Sequence, residues 1–328
     1  SQQENYIKRI RQIELALLQS NKNQSIESVY FQFIKKHHIS ELEQQWLIYM
    51  LNNIYTYEYG ADLNDVGYAM ERLYNKSEVY GDNALIKPGY EWILKPLLKQ
   101  APIRYNMAVT TIDYTKNVIK VCAASICYLA RSVVITVPLG VLKAKKIKFN
   151  PPLPNDKQKA IQKIAMGNYE KTFLIFNKAF WQKDLQKEWL GILPRNKNDA
   201  FNIFNLYKYS KEPILIAFSS GRFAKKMAQQ DFTKWVMKKL RIIYGNNIPE
   251  PIEVYRTHWA SDPNYMGSYS YLPVGSTLKW IRALAKPVNK KIFFAGEATS
   301  LTDMATTNGA YQTGRRAAAQ VIKALKRS

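Results

Sequence analysis

The stretch Lys291–Ile322, KIFFAGEATSLTDMATTNGAYQTGRRAAAQVI, decides how the chain is read. Its opening, Ile292–Ala295, is a short apolar run bounded by Gly296, the pattern of a buried strand. A polar loop follows, then a helix rich in small residues. Gly309, Thr313 and Ala317 recur at intervals of four, and so do Ala310, Gly314 and Ala318. Helical spacing puts each set on one face, where another group can approach the backbone closely. A helix N-terminus offers unpaired N–H groups and partial positive charge, which suit a phosphate or an anionic ring. Glu297, at the strand's end, is placed to accept hydrogen bonds from sugar-like hydroxyls. On pattern alone, the same helix suits tight packing on a sheet equally well.

Composition sets the frame. With 328 residues, 47% of them hydrophobic and 13% aromatic, the chain can bury one large core or two. That balance is globular rather than disordered. No apolar run reaches the length of a membrane span, no secretory signal is visible, and no membrane partner is expected. Cys122 and Cys127 lie close together in an apolar stretch; buried thiols in a reducing cytoplasm are expected rather than a disulfide framework. Three histidines give no metal-ligand spacing, so no metal is assigned. The formal net charge is +23, from 48 Lys+Arg against 25 Asp+Glu. Such a balance attracts polyanions non-specifically. The lysines are scattered, however, with only short clusters such as Lys143–Lys148 and Lys323–Arg327, and no recognition motif for nucleic acid accompanies them. A solvated basic surface is the favoured reading.

Taken in order, the chain begins with helices. Residues 4–19 carry Ile7, Ile10, Ile13, Leu17 and Leu18 near one face. Residues 21–39 predict a shorter helix and its loop. A further helix starts after Ser40, where Ser40 and Glu43 form a capping-box pattern, and ends near Tyr55–Gly60. From Gly81 the texture changes. Gly89–Gln100 predicts a short helix, and Val109–Tyr114, Val118–Ala123 and Ile126–Ala130 a small antiparallel meander. Ser132–Pro138, SVVITVP, is a nearly continuous apolar strand of the kind covered on both faces. The prolines of Leu139–Pro154 mark a domain boundary. Beyond it come a helix over Asp156–Ile164, a strand within Gly167–Trp181 with Lys171 at its start, strands at Ala200–Tyr207 and Ile214–Ser219, helices at Gly221–Gln229 and Thr233–Tyr244, and a strand over Val254–Trp259.

These segments, from about Tyr80 to Ile322, resemble the FAD-dependent amine oxidases: polyamine oxidases, monoamine oxidases and flavin histone-lysine demethylases. The resemblance rests on a collinear set: Tyr90 after its glycine, the Val109 strand, TVPLGVLK, the lysine of GNYEKTF, a tryptophan followed by GSYSY, and AGEAT. It implies an α/β fold, α+β in the substrate part, in which a partial Rossmann-like FAD-binding domain joins a mixed-sheet and helical substrate-binding domain. The expected division is 1–80 and 146–275 for the substrate side, and 81–145 and 276–328 for the FAD side. By the same resemblance Val109, Thr136, Val137, Pro138, Trp259, Gly296, Glu297, Ala305, Thr306 and Thr307 hold the cofactor, FAD. Lys171 holds a water near the reactive flavin nitrogen, and Tyr269 and Thr306 flank the substrate. The implied activity is oxidation of a C–N bond of a small amine or amino acid, with O2 as acceptor.

Two features depart from the family. Its members begin with a strand–GxGxxG–helix unit that seats the FAD diphosphate, and no such glycine pattern occurs here. A separate N-terminal segment or chain is the implied partner, and FAD is expected to bind poorly without it. Where many members place an aromatic residue opposite Tyr269, this chain has Thr306, as the histone-lysine demethylases do. A different class stays open beside the enzyme: a basic, non-enzymatic binding module that keeps the fold without its nucleotide-binding segment. For an enzyme, the far field of +23 favours a monoamine or amino acid over spermine.

Overall fold

A computed structural model describes residues 2–326 apart from 68, 71–72, 74–84, 88, 100 and 193–200. The expected boundary at 80/81 and the expected strand start at Ala200 lie outside the described residues. Three helices open the chain: α1 (Gln2–Gln19), α2 (Ile26–His37) and α3 (Glu41–Leu51). The last runs on through a π-helical turn, Asn52–Thr56, to a final turn at Tyr57–Tyr59, which stops at Gly60 with φ +61°. Ile10, Ile13 and Leu17 are buried on one stripe of α1, while Ile7 stays exposed. The capping box falls elsewhere than expected. Ser25 and Ser28 form one at the start of α2, whereas Ser40 makes no side-chain cap bond. Glu43 instead pairs with Arg9 across 2.5 Å, and that ion pair between α1 and α3 takes the carboxylate from the reach-back a capping box needs.

Next come α4 (Glu91–Leu98), β1 (Val109–Asp113), β2 (Ile119–Ala123) and β3 (Ile126–Ala130), the last three forming the expected meander. Cys122 and Cys127 stand directly opposite each other in the β2–β3 register and form a disulfide with Cα atoms 4.1 Å apart. The expectation of buried thiols is thereby corrected: a five-residue spacing across a tight hairpin places both sulfurs on one face, and Cys127 is exposed. β4 (Val133–Ile135) is shorter than expected and covered on one face only, with Val134 40% exposed. Val133 and Ile135 pack on the main core, and alternation turns Val134 away from it. After α5 (Leu139–Lys143), the lysine-rich run conceals a strand, β5 (Lys148–Asn150), parallel to β1. The signal was period-two alternation: Ile147 is buried between exposed Lys146 and Lys148. Then comes α6 (Asn155–Lys163).

β6 (Ala165–Met166) leads into β7 (Tyr169–Ile175). With β8 (Trp189–Ile192), β9 (Phe201–Asn205), β10 (Ile214–Ser220) and, after helices α7 (Gly221–Ala228) and α8 (Phe232–Tyr244), β11 (Glu253–Arg256), it builds a five-stranded antiparallel sheet ordered β11-β7-β10-β9-β8. Leu174, Trp181 and Leu215 pack with Val236 and Leu240 of α8 in a core of their own. The N-terminal helices, by contrast, share one core with β1, β2, β4 and α6.

The chain closes with β12 (Ser270–Tyr271), paired to β6; α9 (Lys279–Ala285); β13 (Ile292–Phe294), parallel to β4; and α10 (Thr307–Leu325). Phe293 packs beneath Ala317 of α10, while Ile292 and Phe294 face the main core, so β13 is covered on both sides. Lys157 of α6 fastens this region. It is only 3% exposed, and its Nζ donates to the carbonyls of Ala283 (3.1 Å), Leu284 (2.6 Å) and Lys286 (2.7 Å), 3.7 Å from the centre of the Phe294 ring. These are the C-terminal carbonyls of α9, which a cation suits.

Burial, with Lys286 and Arg316 nearby, pushes the Lys157 ammonium from 10.5 down to about 7. The unfolded chain therefore holds this proton more tightly over that interval, and stability from Lys157 rises as pH rises from about 7 to 10.5. Lys157→Met is expected to cost about 2–4 kcal/mol, because three carbonyls at the end of α9, that of Leu284 buried, lose their donor. The variant should also lack this part of the rise with pH, so urea melts of both proteins at pH 7 and pH 10 should show a gap that widens upward.

Candidate active site

Parallel pairing of β4 and β13 brings the segments after them to one edge: Thr136–Pro138 and Gly296–Glu297. There they line a cavity of about 180 Å³, together with Tyr265, Ser268 and Ala310. Crevices beyond the carboxyl ends of parallel strands are where ligands of such sheets bind. Gly296 takes φ +112°, a backbone region that side chains rarely adopt. Glu297 then turns inward. It accepts from the Ser270 N–H (3.1 Å), the Ser270 hydroxyl (2.6 Å) and the Ala305 N–H (2.8 Å). Burial raises its pKa and these three bonds oppose the rise. Of about four acceptor positions on a carboxylate, three are thus taken by Ser270 and Ala305, and one remains for a hydroxyl.

The loop ends in a built helix start. Ala305 has φ +64°. Thr306 accepts from the Gly309 N–H (2.9 Å) and donates to the Asp303 carbonyl (2.8 Å). A Cβ at position 309 would collide with that same carbonyl, so the first small residue is a requirement of the turn. Thr313 accepts from the Gly296 N–H at 3.0 Å. The Gly309–Thr313–Ala317 face is therefore buried in packing, while Ala310 faces the cavity and Gly314 meets nothing within 4 Å. Thr307 is exposed in the first turn, its hydroxyl 3.3 Å from that of Tyr90. Val109 lies in β1 and is not among the residues lining the cavity.

A second wall rises from β7, where alternation sends Tyr169 and Lys171 to one face and Glu170 to the other. Tyr169 stacks on Phe218 at 5.4 Å and lies 5.9 Å from Tyr57 and 6.3 Å from Tyr269. The Tyr269 hydroxyl donates to the Tyr57 carbonyl at 2.6 Å. Burial pushes both Tyr169 and Tyr269 well up, and the nearby Glu58 carboxylate adds to it. Glu58 itself is raised by burial. Lys171 presents exposed surface, yet the protein crowding around it lowers its pKa. Both statements hold for a group that lines a cleft.

Glu170, 4% exposed, accepts from the Thr257 hydroxyl (2.7 Å) and from the backbone N–H of Trp259 (3.2 Å) and Ala260 (3.1 Å). It thereby shapes the turn that carries Trp259. The Trp259 ring meets Tyr265 edge-on at 4.9 Å, and Tyr265 lines the cavity. Sequence reasoning singled out neither Glu170 nor Glu58, nor Tyr57 or Tyr169. Glu170 precedes Lys171 directly, and a carboxylate of the opposite parity in a half-buried strand was the available signal.

The family model for flavin containing amine oxidoreductase matches residues 7–322. The chain belongs to that family. The family is flavin-containing, and the cofactor that goes with it is FAD. Relatives include Lysine-specific histone demethylase 1 homolog 2 of Arabidopsis thaliana, 36% identical over 254 residues, covering 75% of this chain and 34% of that protein. Polyamine oxidase 2 of the same plant is 37% identical over 242 residues, covering 73% and 48%, and human Lysine-specific histone demethylase 2 is 31% identical over 313, covering 91% and 38%. The chain thus spans half or less of the length of each of these relatives. Among solved structures, cyclohexylamine oxidase from Brevibacterium oxydans IH-35A superposes with a TM-score of 0.75 at 18% identity, over 98% of this chain and 75% of that one. Putrescine oxidase bound to putrescine gives 0.77 at 16%, over the same shares. Both share the α/β fold of this amine oxidase chain.

The residues present fit one end of FAD. A cleft at two strand termini, a glycine that admits close approach and a carboxylate with one free acceptor position suit the ring and its polyol linker. None of the 14 glycines stands two residues from another, so the chain carries no glycine-rich diphosphate turn. Among the described residues no helix is long and apolar enough to cross a membrane. One consequence concerns Glu170. Glu170→Ala should lower stability by about 2–4 kcal/mol, since two backbone N–H groups and a half-buried hydroxyl lose their acceptor together. Glu170→Gln, which keeps one carbonyl oxygen, should lose about half as much in the same urea melts.

Proposed function

We propose that the complete protein oxidises the C–N bond of a small amine or amino acid, with O2 as the final acceptor. The observation that carries this reading is the bonding of Glu297, in the loop after β13, to Ser270, next in the chain to the Tyr269 that meets Tyr169 of β7. FAD, when bound, supplies the hydride acceptor. This chain's residues do the rest. Thr136–Pro138, Gly296 and Glu297 receive the ring and linker, with Ala305, Thr306 and Thr307 setting the helix start behind them. Val109 is assigned to the adenine end through its backbone. Trp259 and Tyr269 wall the amine, and water is kept from it by the packed rings. Lys171, its ammonium weakened by crowding, holds a water and passes a proton to and from it.

Thr306 leaves one wall without an aromatic ring, so width is not restricted there. The net charge of +23 disfavours capture of a polyamine, while Glu58 offers one local carboxylate for a single ammonium. Residues 81–145 and 276–328 are assigned to the FAD side, and 1–80 with 146–275 to the substrate side. The diphosphate turn is assigned to polypeptide outside these 328 residues. The cysteines no longer argue for a reducing compartment, since they are paired.

The test uses protein that carries a GxGxxG segment joined to this chain. It should purify with stoichiometric flavin absorption, whereas the 328-residue chain should purify nearly colourless. In the flavin-bound form, Lys171→Met should slow anaerobic flavin reduction by a simple amine about 10²–10⁴-fold with the absorption spectrum retained. Reduction at an unchanged rate would remove Lys171 from the mechanism.

A further inference from the structure

β4 and β13 have a second pair of ends. Just before them, opposite the cofactor side, lies a cleft of about 610 Å³. The strands between them span only Val133–Ile135 and Ile292–Phe294, so the two sites stand roughly 10 Å apart, at about 3.3 Å per residue. The floor is apolar: Val118, Phe293 and the Ala324–Leu325 end of α10. Arg131, Lys290, Lys291 and Lys323 form the rim, and no acidic residue is among the described residues lining the cleft.

This rim is held in place. Asn289 and Lys290 both take left-handed backbone angles, φ +51° and +55°, in the turn before β13. Such a turn is strained for non-glycine residues, and it swings the two lysines to the mouth. Lys291 is anchored there by the Lys116 carbonyl (3.1 Å) and the Asn117 side-chain oxygen (3.4 Å). Arg131, Lys290 and Lys323 have no ion-pair partner among the described residues. Within the cleft, the Gln320 amide oxygen is buried and accepts no hydrogen bond. Turned about its last bond, the same amide presents two N–H donors instead.

We propose that this cleft is a second ligand site, for a small amphipathic anion: a carboxylate or phosphate head on an aliphatic body. The volume is that of a small-molecule site. An apolar floor without polar demands takes the body. Three or four cations without local countercharge take the head, and the Gln320 amide is the donor that completes it. A polycation is rejected by the rim, and a neutral apolar molecule forgoes most of what the site offers. The site is independent of flavin and of the amine reaction.

The probe is octanoate, with octan-1-ol and inorganic phosphate as its two halves, titrated by calorimetry into the full-length protein with FAD bound. Octanoate should bind at one site, about tenfold or more tighter than either half. Its affinity should fall with added salt. The exposed double variant Lys290→Glu/Lys323→Glu should weaken octanoate about tenfold or more. Lys225→Glu/Lys226→Glu, the same charge change on α7, should leave it unaltered. Both pairs lie on the surface, so folding is preserved, and flavin absorbance reports it. Octanol binding as tightly as octanoate reduces the cleft to an apolar patch and overturns the proposal. Phosphate alone binding as tightly overturns it in favour of a simple ion site. Equal weakening in both double variants makes the effect one of net charge, and no binding to the full-length protein shows the cleft to be covered there; either result overturns it as well.

Discussion

The Glu297 carboxylate is the interaction on which the active-site half of the molecule depends. One side chain bonds Ser270 of β12 through both its N–H and its hydroxyl, and bonds the N–H of Ala305 at the threshold of α10. The strand β12, the loop after β13 and the start of α10 therefore meet on two oxygens. Because β12 pairs with β6, which leads directly into β7, the same carboxylate connects the loop after β13 with the strand that carries Lys171. Removing it would leave buried donors on both sides, which costs more than the bonds themselves contribute. The rise in its pKa from burial shows what the arrangement opposes: a charged group is held in a crowded place because something there must accept.

Much of the fold was legible because the decisive segments are local. The apolar run at Ile292–Ala295, the small-residue spacing of 309, 313 and 317, and the meander of three short strands each follow from period and turn chemistry within a dozen residues. The misreadings share a different physics. Glu43 bonds Arg9, thirty-four residues away, so no local pattern could show that its cap partner would lose it. The spacing of Cys122 and Cys127 makes a pair only once a two-residue turn has fixed the register of β2 and β3. β4 reads as a fully covered strand, yet burial of Val134 is a matter of what stands beside the strand. β5 was hidden by lysines, whose charge masked a plain alternation.

The site was legible only through resemblance. Spacing alone offered a strand, a carboxylate and a helix start, which tight packing explains as well. Indeed the structure shows packing to be part of the truth: Gly309 is required by the Asp303 carbonyl, and Thr313 is spent on Gly296. Only the Ala310 side is turned to the cavity. One helix thus carries two stripes of small residues with two uses, and a sequence pattern cannot tell which stripe is which until the strand beneath it is placed.

Labour is divided along β7 by strand alternation. Tyr169 and Lys171 share one face of the strand, while Glu170 and Thr172 are buried on the other. A slip of one residue would put a carboxylate into the tyrosine wall and a lysine under the Trp259 turn. What prevents it is a set of clamps at the strand's start. Gly167 donates to the Tyr269 carbonyl at 2.7 Å, and Asn168 donates to the Gly60 carbonyl at 2.7 Å. The Ser268 hydroxyl accepts from the Tyr169 N–H at 2.6 Å. A side chain at Gly167 would collide with the Tyr59 carbonyl, and one at Gly60 would press on Asn168. Close backbone contact between two glycines therefore sets the register. That register decides which of three consecutive side chains, Tyr169, Glu170 or Lys171, stands on the face of the tyrosine wall. The chemistry assigned to Lys171 rests in this way on residues that have no reactive group at all.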